Sequence, residues 1–430
     1  MRINSSKSEL RGSIIVPGSK SHTIRAVLLA TMAEGKSTIR NPLPSNDCKS
    51  AAHAARLFGA QVEEADGVWY IQGAGSQLKV PDDIVDCGNS GTATIFVMGM
   101  AALLKGYAVI TGDEQIRRRP VHWLVNALNA LGARAMLTRP DHQAPPVVVG
   151  GPLQGGTAVF DGFNSQVISA TMLSSAICGH QVEIKVDHPL EKPYLQMTID
   201  WMKTFGVDFV EKSNDYSHFV LDGQGKYRAV DAVVPSDWSG VAFPLVASII
   251  TPSDVVIEGL DFYDAQGDKA VVDHLLRMGA KIEKDEAKGR LHIIGGSPLK
   301  SGIEINLNDT PDALPALAVA AAFAEGATTF TGLSHVRVKE TDRVAVMEEM
   351  LGRLGVKTDT TKDSMVVYGG KGVKGDVVAS QKDHRIAMAL AVAGLASEGV
   401  VTVEDAECAD VSFPGFYQQM KKLGANFQEA

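Results

Sequence analysis

The stretch CKSAAHAARLFGAQV (Cys48–Val62) sets the pattern for the whole chain. Its apolar residues recur at i, i+3, i+4 and i+7, which predicts an amphipathic helix. Gly59 marks the stop of that helix, because glycine takes a left-handed backbone without a Cβ clash. The short alternating segment beyond it predicts a strand. The same phrase, a large apolar residue, Gly, then Ala or Val, returns as ALGARA, TFGVDF, RMGAKI, RLGVKT and KLGANF. Its glycines are Gly59, Gly132, Gly206, Gly279, Gly355 and Gly424, separated by 73, 74, 73, 76 and 69 residues. Six copies fill the chain, so a repeat architecture takes precedence over any single-motif reading.

Each unit holds an earlier and more apolar helix. The six are SHTIRAVLLATMAEG, GTATIFVMGMAALLKG, SQVISATMLSSAICG, WSGVAFPLVASIITP, DALPALAVAAAFAEG and DHRIAMALAVAGLASEG. Five are expected to end at Gly35, Gly106, Gly179, Gly326 and Gly399, and the fourth at Thr251-Pro252. A β-rich stretch such as YAVITG or GVVTVED follows. Helices apolar on all sides belong between layers. The expected architecture is α/β: buried helices inside, amphipathic helices and sheets outside, six units in two sets of three.

The chain has 430 residues, too many for one core, so two domains are expected. Apolar residues make up 45% and charged residues 21%, the balance of a globular protein. A net charge of −9 argues against nucleic acid as a partner. Cys48, Cys87, Cys178 and Cys408 have no metal spacing and read as buried thiols of a reducing compartment. The polar start MRINSSKSEL does not read as a signal peptide, and apolar runs such as Ile95–Leu104 are too short to span a bilayer. A cytoplasmic protein, free of membrane, is expected.

The starts of the apolar helices carry the chemistry: Gly18–Ser21, Cys87–Thr92, Phe163–Gln166, Ser236–Gly240, Asp309–Asp312 and Lys382–Arg385. Small polar residues cap helices, and capping alone would explain any one of these sites. Six buried helices starting together would instead converge their N–H groups and dipoles on one cleft, where anions bind. Lys20 and Arg25 stand at the first start, where cations oppose the helix dipole. With Arg385 they suggest an anionic small substrate. Arg117, Arg118 and Arg119 precede Pro120, the first two fitting a solvated turn equally well. In HVRVKETDRVAVMEEM (His335–Met350) the alternation of Val336 and Val338 predicts a strand that enters a helix capped by Thr341 or Asp342. Glu340 and Arg343 then share a helix face, as a surface ion pair would. No nucleophile elbow, Walker loop, HExxH or dinucleotide fingerprint is present. His22, His122, His335 and His384 lack ligand spacing, so no metal is expected.

PGSKSHTIRA, CGNSGT, RRRP, NSQ, EKPY, TPDALP, RVKETDR, KDHR and SFPGF occur together and in this order, from Val16 to about Leu423. In these motifs the chain resembles the 3-phosphoshikimate branch of the enolpyruvyl transferase family. The resemblance implies a two-domain inside-out α/β, barrel-like fold of six βαβαββ repeats, three per domain, with the active site in the interdomain cleft. Residues 1–17 and 236–430 would form the discontinuous C-terminal domain and 18–235 the inserted N-terminal one, with hinges near Pro17 and Pro235. It further implies transfer of the enolpyruvyl group of phosphoenolpyruvate to the 5-hydroxyl of shikimate 3-phosphate through a tetrahedral intermediate. No metal or organic cofactor would be needed, and a monomer is expected.

Position by position, the resemblance puts Lys20, Ser21 and Arg25 at both substrates. Asn164, Ser165, Gln166 and Lys339 would hold shikimate 3-phosphate. Asn89, Gly91, Arg119, Arg343 and Arg385 would hold phosphoenolpyruvate. Asp312 would take the proton of the attacking hydroxyl, and Glu340 would protonate the methylene carbon. The open space at Gly91 would favour sensitivity to glyphosate. Four residues depart from the family pattern: Ile95 replaces an Arg, Val411 a Lys, His335 an Asn, and Glu191 a Ser before KPY. Asn164 stands where many relatives have Ser. An acidic Glu191 near the shikimate phosphate would be unfavourable unless it faced away, since like charges repel. An acceptor such as UDP-N-acetylglucosamine usually goes with Lys-Asn where this chain has Lys20-Ser21, and with a loop cysteine that Thr111–Pro120 lacks. A specialised acceptor, or a non-catalytic anion-binding protein, would share the cation cage; the latter has no use for Asp312 and Glu340.

Overall fold

The computed structural model describes residues 1–208 and 213–430, with the backbone of 210–211. Phe209, which closes the third repeat phrase, lies outside the described residues. The chain forms two compact units, one of Met1–Pro17 with Ser236–Ala430, the other of Gly18–Pro235.

In the inserted unit the helices are α1 (Lys20–Met32), α2 (Asn46–Leu57), α3 (Gly91–Ala101), α4 (His122–Ala130), α5 (Ser165–Ser175) and α6 (Lys192–Thr204). In the discontinuous unit they are α7 (Trp238–Ile250), α8 (Ala270–Arg277), α9 (Leu314–Ala322), α10 (Arg343–Arg353), α11 (His384–Gly394) and α12 (Phe416–Lys422). The odd-numbered helices are the apolar ones, and they are buried: α9 and α11 bury every residue and α7 all but Ile250. α3 packs on α1 and α5, and α7, α9 and α11 pack on one another. Even-numbered helices bury one face only, as α8 does with Val271, Val272 and Leu275. The six phrase glycines all have positive φ, from 82° at Gly132 and Gly355 to 107° at Gly424, so each helix does stop where the motif places it.

The apolar helices end sooner than the glycines after them. α1 stops three residues before Gly35, and α3 five before Gly106, which does not take positive φ. Tight turns such as Leu104 N–H to Ala101 O finish α3 without a left-handed residue.

Among the described residues, six sheets follow one plan. Two parallel strands flank each apolar helix, and an antiparallel hairpin from beyond the amphipathic helix extends the sheet, as in the order Val85–Asp86, Tyr107–Thr111, Val147–Gly150, Arg134–Leu137. Three strands complete this plan from afar. Arg2–Ser6 lies antiparallel between Val401–Glu404 and Asn426–Glu429, so the N-terminus supplies the last strand of the sixth sheet. Leu10–Ile15 precedes α1 in sequence yet pairs in parallel with Ser253–Glu258, after α7. Asp231–Val233 precedes α7 yet pairs in parallel with Lys36–Arg40, after α1. The two strands have exchanged partners at the points where the chain leaves each unit. Gly18 is required at one of these points, since a Cβ there would lie 2.1 Å from the carbonyl oxygen of Asn41.

Among the described residues no helix is long and apolar enough to cross a membrane.

Candidate active site

The starts of the buried helices gather charge in both units, and the two gatherings differ in kind. Within the inserted unit, Lys20 opens α1 and its Nζ lies 3.1 Å from Asp47 of α2. Arg25, one turn on, is buried and reaches α6: Nε donates to Thr198 Oγ1 (2.9 Å) and Nη2 to the carbonyl of Tyr194 (3.2 Å). Its Nη1 returns to the carbonyl of Ser21 at 3.0 Å, and its guanidinium sits 5.0 Å over the ring of Phe96 in α3. Burial pulls Arg25 down to about 10, with Tyr194 and Glu191 holding it up, so it stays cationic at pH 7.

The start of α3 faces the arginine turn. Asn89 donates to Asp113 Oδ2 at 2.6 Å, and Asp113 Oδ1 accepts from the amides of Gln115 and Ile116, which fixes the loop before Arg119. Arg119 comes so close to Gly91 that a Cβ there would lie 2.5 Å from Nη1. Arg117 and Arg118 are exposed, as a solvated turn requires. Ser90 caps α3 by accepting from Ala93 N–H, and Asn164 caps α5 by accepting from Gln166 N–H. The capping role therefore applies to Asn164. Gln166 reaches across to Thr92 Oγ1 at 3.1 Å and ties α5 to α3.

Glu191 faces the start of α5. It is buried, and its Oε2 accepts from Ser165 Oγ (2.6 Å) and Ser165 N–H (3.2 Å). The positive end of α5 favours a carboxylate at this position.

Within the discontinuous unit the centre is Arg343, 1% exposed at the start of α10. Its guanidinium meets three carboxylates: Nη1 to Asp312 Oδ1 (2.7 Å), Nη2 to Glu340 Oε2 (2.5 Å), and Nε to Asp383 Oδ2 (2.8 Å). The Glu340–Arg343 pair is thus a buried ion pair, not the surface pair that spacing alone suggests. Arg385, also buried, reaches Asp312 Oδ2 at 2.8 Å and Ser239 Oγ at 3.0 Å. Asp383 and Asp237 cap α11 and α7 while holding these partners. Burial would raise the Asp312 carboxyl, but Arg385, Arg343 and Lys339 overcome it and hold that group well below the usual carboxylate range.

Ser334–Val338 is a 3-10 turn, where alternation predicted a strand. Val336 is buried but Val338 is 45% exposed, so the two valines do not share an inward face. The turn instead lets Arg337 grip Asp342 with bonds of 2.8 and 3.0 Å, and Asp342 caps α10 on Ala345 N–H.

The residues singled out from the sequence therefore fall into two sets. Lys20, Ser21, Arg25, Asn89, Gly91, Arg119, Asn164, Ser165 and Gln166 belong to the inserted unit; Asp312, Lys339, Glu340, Arg343 and Arg385 belong to the discontinuous one. Sequence reasoning passed over Asp47, Asp113 and Asp383, the carboxylates that hold Lys20, Asn89 and Arg343. Asp383 lies inside the marked start Lys382–Arg385 and Asp113 a few residues before the arginine turn, which was the available signal; Asp47 carries no such mark. Burial pushes the thiols of Cys48, Cys87 and Cys408 up to about 12, away from the thiolate form. Among the described residues no cluster of His, Cys, Asp and Glu has the makings of a metal site.

Each unit thus carries cations at its helix starts with carboxylates bonded directly to them, Asp47 in one and Asp312, Glu340 and Asp383 in the other, a class of polar site found in enzymes of small anions. The model of the EPSP synthase (3-phosphoshikimate 1-carboxyvinyltransferase) family matches residues 5–420. The 3-phosphoshikimate 1-carboxyvinyltransferase of Acetivibrio thermocellus is 40% identical over 420 residues, 98% of this chain and 97% of the relative. That of Ruminiclostridium cellulolyticum is 39% identical over 422 residues, 98% of each. The solved EPSP synthase of Acinetobacter baumannii superimposes with a TM-score of 0.83 at 29% identity, covering 100% of this chain and 99% of that one. The enolpyruvyl transferase NikO of Streptomyces tendae reaches the same TM-score at 18% identity, covering 100% and 98%, a likeness of fold alone. The chain belongs to the EPSP synthase family and shares its two-domain α/β fold.

Proposed function

We propose that this chain transfers the enolpyruvyl group of phosphoenolpyruvate to the 5-hydroxyl of shikimate 3-phosphate, and that the two sets of residues serve this one reaction. The observation that carries the reading is Asp312, held between Arg343 and Arg385 at 2.7 and 2.8 Å, with Glu340 on the same guanidinium. Simple anion binding gains nothing from carboxylates that compete for its cations.

The substrates bring two phosphates and two carboxylates, so cations must dominate where they bind. Arg119, Arg343 and Arg385 take phosphoenolpyruvate, with Asn89 and Gly91 beside it. Ser165, Gln166 and Lys339 take shikimate 3-phosphate, while Lys20, Ser21 and Arg25 serve both. Asn164 orients the amide of Gln166. The 5-oxygen then attacks C2 of phosphoenolpyruvate as its proton passes to Asp312, and Glu340 delivers a proton to C3. In the second step the C2–O bond to phosphate breaks, a C3 proton returns to a carboxylate, and the enol ether and inorganic phosphate leave.

Asp312 begins as a weak base, because two arginines stabilise its charge. Phosphoenolpyruvate drawing on Arg343 and Arg385 offsets that positive field, so Asp312 gains proton affinity as that substrate binds. Substrate binding itself thus switches the base on.

The test is phosphate release with each substrate alone and with both. Release is expected only when shikimate 3-phosphate and phosphoenolpyruvate are present together. Steady turnover with UDP-N-acetylglucosamine in place of shikimate 3-phosphate, or none with the latter, would sink the proposal.

A further inference from the structure

Glu191 takes the donors of Ser165, a residue that the proposed function assigns to a substrate phosphate. Its carboxylate takes both the hydroxyl and the amide N–H of Ser165, the first residue of α5. It could have capped its own helix, α6, whose N-cap position it holds, but it makes no side-chain cap bond there. Its backbone is left-handed, φ 53° and ψ 37°, a conformation that costs a non-glycine residue energy. The residue is 2% exposed, and Arg25 feels its charge. A buried anion is thus built into the positive end of a buried helix, beside a buried guanidinium.

We infer that Glu191 is a specificity-determining residue that competes with the phosphate of shikimate 3-phosphate for Ser165, so that this phosphate binds only when the Glu191 carboxylate is displaced. The reason is one of stoichiometry. A serine hydroxyl has a single proton and its amide another, and each serves one strong acceptor at a time. The phosphate dianion also meets like charge wherever Glu191 remains close. The substitution Glu191→Gln keeps the shape but removes the charge and weakens the acceptor. This inference rests on Ser165 being a phosphate-binding residue, as proposed above.

The experiment is calorimetric titration of the full chain with shikimate 3-phosphate and, separately, with shikimate, which lacks the phosphate. For Glu191→Gln the Kd of shikimate 3-phosphate is expected to fall about tenfold, equivalent to about 1.4 kcal/mol, while that of shikimate holds within twofold. Ser165→Ala is expected to weaken shikimate 3-phosphate more in the Glu191→Gln background than in the native one, because only there do the serine donors face a weak, uncharged competitor. If Glu191 merely held Ser165 in place, Glu191→Gln would leave the Kd unchanged or raise it, and the inference would fail. An equal gain for shikimate would also overturn it, since the phosphate would then not be the competitor. Binding of shikimate 3-phosphate by neither protein, together with absent turnover, would instead remove the functional reading on which the inference rests.

Discussion

Asp383 accepts two hydrogen bonds from Arg343, at 2.8 Å from Nε and 3.3 Å from Nη2, with neither side chain open to water. The same carboxylate takes the hydroxyl of Thr341 at 3.2 Å and the amide of Arg385 at 3.0 Å. It thus fixes one edge of the guanidinium and leaves Nη1 for Asp312 and the second proton of Nη2 for Glu340. A buried arginine so held has little freedom to lose when an anion binds.

Asp383→Asn should accordingly destabilise the chain by about 3 kcal/mol, the range for removing one partner of a buried pair. Urea unfolding measures it. A loss below about 1 kcal/mol would mean that Asp312 and Glu340 hold Arg343 unaided. In steady-state kinetics the KM for phosphoenolpyruvate should rise.

Asp312→Asn removes the base while keeping the shape. Turnover should drop by about 10² to 10⁴, the worth of a positioned general base. Shikimate 3-phosphate should still bind by calorimetry. Intact turnover with lost binding would reverse the role given to Asp312.

Acid stability follows from the same residue. The folded-state pKa of Asp312 lies below its unfolded value, which is about 3.9. Its ionic contribution is therefore fully present above about pH 5 and is lost as pH falls toward the folded value. The stability difference between the native chain and Asp312→Asn should be constant from about pH 5 upward and should shift in favour of the variant as acid is added below that. A difference that grows in favour of the native chain below pH 5 would contradict the ion-pair assignment.

Gly91→Ala places a Cβ 2.5 Å from Arg119 Nη1, the far end of a flexible side chain. The arginine can yield, so thermal stability should stay close to that of the native chain. The displaced guanidinium should raise the KM for phosphoenolpyruvate by about tenfold, equivalent to about 1.4 kcal/mol. An unchanged KM would take Arg119 away from that substrate.

Much of this was legible in the chain because it is local. Helix period, the glycine stop and the alternating strand after it are all encoded within about fifteen residues, and they recur six times. The caps Ser90, Asn164, Asp237 and Asp383 likewise act on amides two or three residues away. The run Val336–Lys339 misled because alternation over four residues also fits a 3-10 turn, and only the packing of Val336 against the core decides between them.

The amino-acid sequence by itself determined six α/β units, the apolar and amphipathic kinds of helix within them, and the motifs that place the chain in its family. Tertiary structure alone decided where the strands Arg2–Ser6, Leu10–Ile15 and Asp231–Val233 pair. It also decided that three carboxylates share Arg343 and that Glu191 turns onto Ser165. The physical reason is common to all of these. Strand pairing and buried ion pairs join residues that packing brings together across long separations, 26 residues for Ser165 and Glu191 and 398 for Asn4 and Thr402. Such partners leave no periodic trace in the local sequence, because neither side chain alone specifies which opposite charge or strand edge it will meet.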